Sequence, residues 1–173
     1  MVEIKEKEKC CGCTACEIIC SQNSIEMIED NEVFLYPKIN KEKCINCGLC
    51  DKVCPILNAK EEKKQQKAYI FQHNDDIVRR QSTSGGAFTA IAEYVLSKNG
   101  IVYGAMFDKD FNVIHDSIEK VEDLYKFRNS KYVQSKIGKC FPKVKKELEE
   151  KRVVCFSGTS CQIEGLKKYL GKE

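Results

Sequence analysis

The N-terminal third of the chain contains only short apolar stretches set among charged residues. Two of them, Ser24–Ile28 and Glu32–Tyr36, have the short apolar and β-branched character of strands. They flank Glu29-Asp30-Asn31, which has the composition of a turn. The pattern therefore predicts a β-hairpin in this region.

From residue 68 onward, strand-like and helix-like segments alternate. The segment Gly86–Lys98 has apolar residues at helical spacing and is followed by Asn99-Gly100, a typical helix C-terminal signal. The other predicted elements are a strand at 68–71, a strand at 101–107, a short helix at 121–127, an amphipathic helix at 141–151, a strand at 152–156 and a helix at 162–170. Alternating strands and helices predict an α/β layer with some parallel pairing.

A charged segment separates these two patterns. Residues 59–67 read Ala-Lys-Glu-Glu-Lys-Lys-Gln-Gln-Lys and lack any sizeable apolar side chain. Such a segment is typical of a linker. We therefore divide the chain into an N-terminal module at 1–58, a linker at 59–67 and an α/β domain at 68–173.

The candidate chemistry of the N-terminal module lies in two cysteine runs. Both have the spacing C-x2-C-x2-C-x3-C, and their members are Cys10, Cys13, Cys16 and Cys20 in the first run and Cys44, Cys47, Cys50 and Cys54 in the second. This is the ligand spacing of a bacterial-type ferredoxin with two [4Fe–4S] clusters. The expected fold is therefore an α+β ferredoxin-like module followed by the α/β domain.

The same spacing predicts which cysteines share a cluster. Three thiolates on one tight loop reach three corners of a cuboidal cluster, and in two-cluster ferredoxins the fourth ligand comes from the other repeat. We expect one cluster to be bound by Cys10, Cys13, Cys16 and Cys54, and the other by Cys44, Cys47, Cys50 and Cys20. The first repeat departs from the usual pattern, because Ser21 replaces the expected proline and Cys11 is an extra thiol that competes for a corner.

Zinc and disulfides are the alternatives for these cysteines. A zinc ribbon takes two separated pairs of ligands, and a third cysteine at x2 spacing is surplus to such a pair. Disulfides are disfavoured because the chain opens on charged residues without an apolar signal segment. Oxygen-sensitive clusters indicate a reducing compartment, and we expect a cytoplasmic protein.

Composition and charge exclude other classes. The formal net charge of +3 becomes about −1 once two clusters of about −2 each are bound. Lysines and glutamates are interleaved, as on a solvated surface. Nucleic-acid binding is therefore not expected, and neither is a membrane span, because the longest apolar stretch is too short.

Two loops of small residues precede predicted helices, at 82–86 and 157–161. Backbone N–H groups and the helix dipole favour an anion at such positions, and a phosphate or pyrophosphate is the natural occupant. The alternative is that their hydroxyl side chains act only as helix N-caps. Neither loop matches the P-loop or Rossmann fingerprint.

Four motifs together resemble the beta-subunit family of coenzyme F(420) hydrogenases and dehydrogenases. They are Ser-Thr-Ser-Gly-Gly-Ala-Phe at 82–88, Gly-Ile-Val-Tyr-Gly-Ala-Met-Phe at 100–107, Ser-Lys-Tyr-Val-Gln-Ser at 130–135 and Gly-Thr-Ser-Cys-Gln-Ile-Glu-Gly-Leu-Lys at 158–167. The resemblance implies a flavoprotein that binds FAD and passes electrons between iron–sulfur clusters and the flavin. It also implies hydride exchange with a deazaflavin or similar carrier, and a ferredoxin or another redox subunit as partner.

By that resemblance, the flavin site is formed by Ser82, Ser84, Gly85, Gly86, Lys131, Tyr132, Gln134, Gly158, Thr159, Ser160, Cys161 and Gln162. Ser160 stands where the family often has proline, and family members usually continue well beyond residue 173. We therefore expect a fragment or a shortened member. The alternative function is a non-enzymatic electron carrier or docking module without flavin.

No side chain is expected to act as a catalytic acid, base or nucleophile. His73 and His115 are isolated in the sequence, and no nucleophile, base and orienting group occur together. Cys140 and Cys155 are expected to be small core residues. The thiolate of Cys161 is favoured by the dipole of the predicted helix, so a flavin contact and a packed thiol both remain open.

Overall fold

The computed structural model describes Val2, Ile4 and residues 6–59 and 67–171. The chain forms two compact units, one comprising Met1–Glu62 with Thr159–Glu173 and the other Lys63–Gly158. This division differs from the sequence-based one, which placed all of 68–173 in one domain. Most of the expected linker at 59–67 lies outside the described residues.

The first unit is built on a hairpin and three helices. Strands β1 (Ile25–Glu29) and β2 (Leu35–Ile39) pair antiparallel, with Ile25 opposite Ile39. Asp30 closes the turn, because its side chain accepts hydrogen bonds from the backbone N–H groups of Glu32 and Phe34. The predicted hairpin is therefore confirmed. Its second strand begins and ends three residues later than predicted.

Each repeat contains one short helix, which begins one residue before the third cysteine. Helix α1 spans Ala15–Ile19 and helix α2 spans Leu49–Val53. The C-terminal helix α6 (Ser160–Leu170) packs on both of them. Gly165 lies at this contact, where a Cβ would meet the Ala15 Cβ and the Cys13 Sγ at an ordinary van der Waals distance of 3.4 Å. The core of this unit consists of cysteines and a few aliphatic side chains: Val2, Cys16, Ile25, Cys50 and Cys54.

The second unit contains a three-stranded mixed sheet in the order β4-β3-β5. Strand β3 (Ile101–Phe107) pairs antiparallel with β4 (Val113–Ile118) and parallel with β5 (Val154–Phe156). Its helices are α3 (Asp76–Arg80), α4 (Ala87–Ser97) and α5 (Cys140–Glu149), with a 3-10 helix at Val121–Phe127. Helix α4 packs on β3 through a core that includes Ala92, Val95, Val102, Leu124 and Phe127. The observed architecture is a small α+β fold.

Several sequence-based elements need correction in this unit. The strand expected at 68–71 is not formed, and Tyr69 and Ile70 are fully exposed there, because the segment has no partner strand. Strand β4 and helix α3 were not predicted. Among the described residues, no helix has the length and hydropathy of a membrane span.

Candidate functional site

The eight cysteines of the two repeats line two cavities in the first unit. One cavity, here called site I, is lined by Cys10, Cys13, Cys16 and Cys54 among others. The second, site II, is lined by Cys20, Cys44, Cys47 and Cys50 among others. Each cavity thus combines three cysteines of one repeat with the last cysteine of the other. Thiolates are the ligands of [4Fe–4S] clusters, so both donor sets fit such a cluster.

Both cysteine loops turn by means of left-handed residues at equivalent positions. In the first loop these residues are Gly12 (φ 60°) and Thr14 (φ 62°), and in the second they are Asn46 (φ 53°) and Gly48 (φ 74°). In each loop the first of these residues lies immediately before the second cysteine of the repeat, and the second lies two residues before the third cysteine. Such turns wrap three side chains of a short segment around one cavity, a conformation that glycine and asparagine adopt most readily.

The surroundings of the two sites differ. At site I, Cys13, Cys16 and Cys54 are buried, and the cavity wall also contains Val2, Ile4, Met27, Pro37 and Ile56. At site II, Cys47 is exposed and Cys44 is half-buried. The wall of site II includes the exposed side chain of Ile45. Site II is therefore the more accessible of the two.

Burial also affects the protonation of the thiols. It raises the pKa of Cys16 to about 12 and raises the pKa of Cys10. A hydrogen bond with Cys11 lowers the pKa of Cys13. Since only a thiolate binds iron, cluster binding must release these protons, and cluster assembly is coupled to folding of a core made largely of cysteines.

The Cys20 sulfur at site II is held by its own loop. The Ser24 Oγ lies 3.1 Å from the Cys20 Sγ, and the Ser24 backbone N–H donates to the same sulfur at 3.3 Å. Ser24 is buried, with 3% of its surface exposed. Sequence analysis did not identify this serine as a site residue. The only sequence feature that points to it is its position four residues after Cys20.

Helix α6 brings an additional thiol to the first unit. The Cys161 Sγ lies 4.0 Å from the Cys11 carbonyl oxygen, and Cys11 itself lines site I. At the start of the helix, Thr159 and Gln162 form a reciprocal capping box, and the Gln162 Oε1 accepts from the Thr159 N–H at 3.0 Å. These side chains are thus used as helix caps, while Gly158 and Ser160 are exposed.

The other flavin residues expected from the resemblance belong to the second unit. Ser82, Ser84 and Gly86 line a cavity of ≈ 250 Å³ at the start of α4. Gly85 has a packing role, because a Cβ there would lie 2.1 Å from the Phe71 carbonyl oxygen. Lys131 lines a neighbouring cavity of ≈ 540 Å³. The loop at 82–86 and Gly158 belong to the second unit, whereas residues 159–162 belong to the first unit.

The flavin candidates Lys131, Tyr132 and Gln134 have different surroundings. The Lys131 Nζ donates to the carbonyl oxygens of Arg128 (2.7 Å) and Lys126 (3.1 Å), and burial lowers its pKa. Tyr132 and Gln134 are exposed. They are absent from the walls of both cavities, in the part of the chain that the structure describes.

Arg128 was missed by sequence reasoning. It lines both cavities, and its Nε is buried without a hydrogen-bond partner among the described residues. Its guanidinium also donates to the Gln81 side chain. No motif surrounds Arg128, so only the fold brings it beside the 82–86 loop.

His115 is a structural residue in the core of the second unit. Its Nε2 lies 2.9 Å from the Ser157 carbonyl oxygen and its Nδ1 lies 2.7 Å from the Ser135 Oγ. Burial lowers its pKa. The buried Cys140 thiol donates to the His115 carbonyl oxygen at 3.1 Å. Both ring nitrogens are therefore used in packing the core.

Comparisons with known proteins agree with the cysteine sites. Residues 9–58 match a 4Fe-4S dicluster domain family, and residues 36–83 match a second family of the same description. The chain is 32% identical over 172 residues to the coenzyme F(420)-dependent sulfite reductase of Methanocaldococcus jannaschii. That match covers 96% of this chain and 26% of the relative, so the chain spans about a quarter of the relative's length.

These matches support a ferredoxin-like dicluster module that carries [4Fe–4S] clusters and transfers electrons. They do not single out the hydrogenase beta-subunit type.

Proposed function

We propose that this chain is the iron–sulfur and flavin-binding part of an oxidoreductase. The observation that carries the proposal is the pair of cavities, each lined by three cysteines of one repeat and the last cysteine of the other. In this proposal site I binds one [4Fe–4S] cluster through Cys10, Cys13, Cys16 and Cys54. Site II binds the other through Cys20, Cys44, Cys47 and Cys50.

The flavin part of the proposal concerns the cavity at the start of α4. This helix has 11 residues, and its N-cap Gly86 provides no side-chain cap, so backbone N–H groups and the helix dipole are available to an anion. Arg128 adds a positive charge to the cavity wall. These features favour the pyrophosphate of FAD. Gly158, Thr159, Ser160, Cys161 and Gln162 join the proposal only through the family resemblance.

When bound, FAD converts between the two electrons of a hydride and the single electrons that [4Fe–4S] clusters carry. The chain's own residues bind and orient these groups. For the hydride carrier we propose a deazaflavin, which is supported by the name of the sulfite reductase relative. A ferredoxin or another redox subunit is the proposed electron-transfer partner.

Anaerobic reconstitution of the whole chain tests this proposal. About eight iron atoms and eight sulfides per chain are expected from two [4Fe–4S] clusters, with one releasable flavin. Eight iron atoms without flavin would instead identify a carrier or docking module. A colourless protein with zinc and no iron would overturn the cluster assignment.

A pair of arginine variants tests the flavin cavity. Arg128→Ala is expected to lower flavin retention at least tenfold, because it removes a charge worth about 1.5–3 kcal/mol in a charge-assisted hydrogen bond. Arg80→Ala is the matched control, since Arg80 is exposed and is absent from the cavity wall. Equal flavin retention in both variants would contradict the proposed binding site.

A further inference from the structure

The sulfur of Cys20 receives a side-chain hydrogen bond, and the described residues provide no equivalent bond to the sulfur of Cys54. A cysteine bound to iron is a thiolate without a proton, so in the contact between the Ser24 Oγ and the Cys20 Sγ (3.1 Å) the hydroxyl must donate. Hydroxyl bonds to a charged acceptor are among the stronger hydrogen bonds. Since Ser24 is buried, water does not compete for this contact.

The residues that follow Cys54 in the second repeat differ from those that follow Cys20 in the first. Pro55 follows Cys54 where Ser21 follows Cys20, and Asn58 stands at the position equivalent to Ser24. The Asn58 Nδ2 donates to the carbonyl oxygens of Asp51 (2.6 Å) and Cys54 (3.0 Å), not to a sulfur. Among the described residues we find no hydroxyl or amide side chain that donates to the Cys54 sulfur.

The sign of the effect follows from charge. Adding one electron from a reductant such as dithionite changes the cluster with its four thiolates from about −2 to about −3. A hydrogen bond to sulfur stabilises the more negative, reduced form and therefore raises the reduction potential. Water near the exposed Cys47 acts in the same direction, because burial disfavours the more highly charged form.

Site I has hydrogen-bond donors of its own. The Cys11 thiol lies within hydrogen-bonding reach of the Cys13 sulfur, and backbone N–H groups reach the sulfurs of Cys10, Cys13 and Cys16. However, S–H is a weak donor, and a backbone N–H group also reaches Cys20 at site II. The hydroxyl of Thr14, which lines site I, has no hydrogen-bond partner among the described residues. The balance of donors and exposure therefore favours the reduced form at site II.

We infer that Ser24 sets the reduction potential of the cluster at site II above that of the cluster at site I. This inference rests on the proposed ligand assignment. An electron shared by the two clusters then resides mainly at site II, the more accessible site. Site II is thus the position from which an external one-electron carrier takes the electron.

The test is an anaerobic redox titration of the whole chain, followed by electron paramagnetic resonance. In Ser24→Ala, the ratio of reduced to oxidised cluster at site II, measured at the wild-type midpoint potential, should fall about tenfold. For one electron this corresponds to a shift of the site II midpoint by about 59 mV to more negative potential. The site I midpoint should not move. Ser21→Ala is the matched control: it removes a hydroxyl from the same loop, and that hydroxyl bonds Gln22 instead of a sulfur.

Two ligand variants test the order of the potentials without altering Ser24. Cys47→Ala should leave one cluster, at site I, that titrates at the more negative wild-type midpoint. Cys13→Ala should leave the cluster with the more positive midpoint. The reverse order, or an unmoved site II midpoint in a fully loaded Ser24→Ala protein, overturns the inference. Absence of two cluster signals in the wild-type chain would instead overturn the proposed function.

Discussion

Sites I and II have the same ligand spacing but different surroundings. Both loops place left-handed residues at the same two positions, and each cavity is lined by four cysteines of the two repeats. The wall of site I is mainly aliphatic and lies against α6, whereas site II has an exposed cysteine, Cys47, and a buried hydroxyl, that of Ser24. The comparison shows that spacing selects the ligands, while the residues between and after the cysteines determine exposure and hydrogen bonding.

The largest expected effect comes from the last cysteine of each repeat. Cys54→Ala should remove the cluster of site I although Cys54 belongs to the second repeat, and Cys20→Ala should remove the cluster of site II. In each variant the iron content should fall from about eight to about four atoms per chain. Iron analysis and electron paramagnetic resonance after anaerobic reconstitution measure both outcomes.

Double variants separate this arrangement from one in which each repeat binds its own cluster. Cys13→Ala with Cys54→Ala removes two ligands of site I, so about four iron atoms should remain. Cys47→Ala with Cys54→Ala removes one ligand from each site, so neither cluster should form. If each repeat bound its own cluster, the two results would be exchanged.

The next effect concerns the helix beside site I. Gly165→Leu should lower the free energy of unfolding by about 1–3 kcal/mol, because the added side chain would overpack the contact with Ala15 and Cys13. The cluster at site I should be lost before that at site II, since Cys13 is one of its proposed ligands. Anaerobic urea denaturation, followed separately by circular dichroism and by cluster absorbance, measures both.

Glu164→Leu provides the control for this helix, because Glu164 is exposed and pairs with Lys167 at the surface. It should change the free energy of unfolding by less than about 0.5 kcal/mol. Equal destabilisation by the two leucine variants would mean that α6 does not pack closely on the first cysteine loop.

A smaller effect is expected from the left-handed residue before each short helix. Thr14 adopts φ 62° and its buried Oγ1 has no hydrogen-bond partner among the described residues, whereas the second loop has Gly48 at this position. Thr14→Gly should therefore raise the free energy of unfolding by about 1 kcal/mol. Gly48→Thr should lower it by about 1–3 kcal/mol. A denaturant series that shows the same sign for both variants would contradict the equivalence of the two loops.

Local patterns predicted the elements whose partners are close in sequence. The hairpin was recognisable because its strands flank a turn centred on Asp30, whose carboxylate organises the backbone. Helix α4 and strand β3 followed from apolar periodicity and from Asn99-Gly100 between them. The cysteine runs were visible because ligand spacing is a property of the sequence itself.

Long-range packing was not visible in the same way. The amphipathic pattern of α6 indicates a buried face but does not reveal that this face meets α1, where Gly165 lies beside Ala15 and Cys13. The segment at 68–71 has strand-like residues but no partner strand. Strand β4 was missed because its sequence, Val-Ile-His-Asp-Ser-Ile, contains polar residues such as His115 whose partners come from other parts of the fold.

The smallest effect, and the one that best isolates site I, is expected from Cys11. Cys11→Ala removes the thiol beside the Cys13 sulfur, so the site I midpoint should become more negative, with about a twofold change in the ratio of reduced to oxidised cluster because S–H is a weak donor. The site II midpoint should not move, and Cys140→Ala, which removes a buried thiol from the second unit, should move neither. The same redox titration also tests the ligand register. If Cys11 replaces Cys10 at a corner of the cluster, Cys11→Ala will lose the site I signal and Cys10→Ala will keep it.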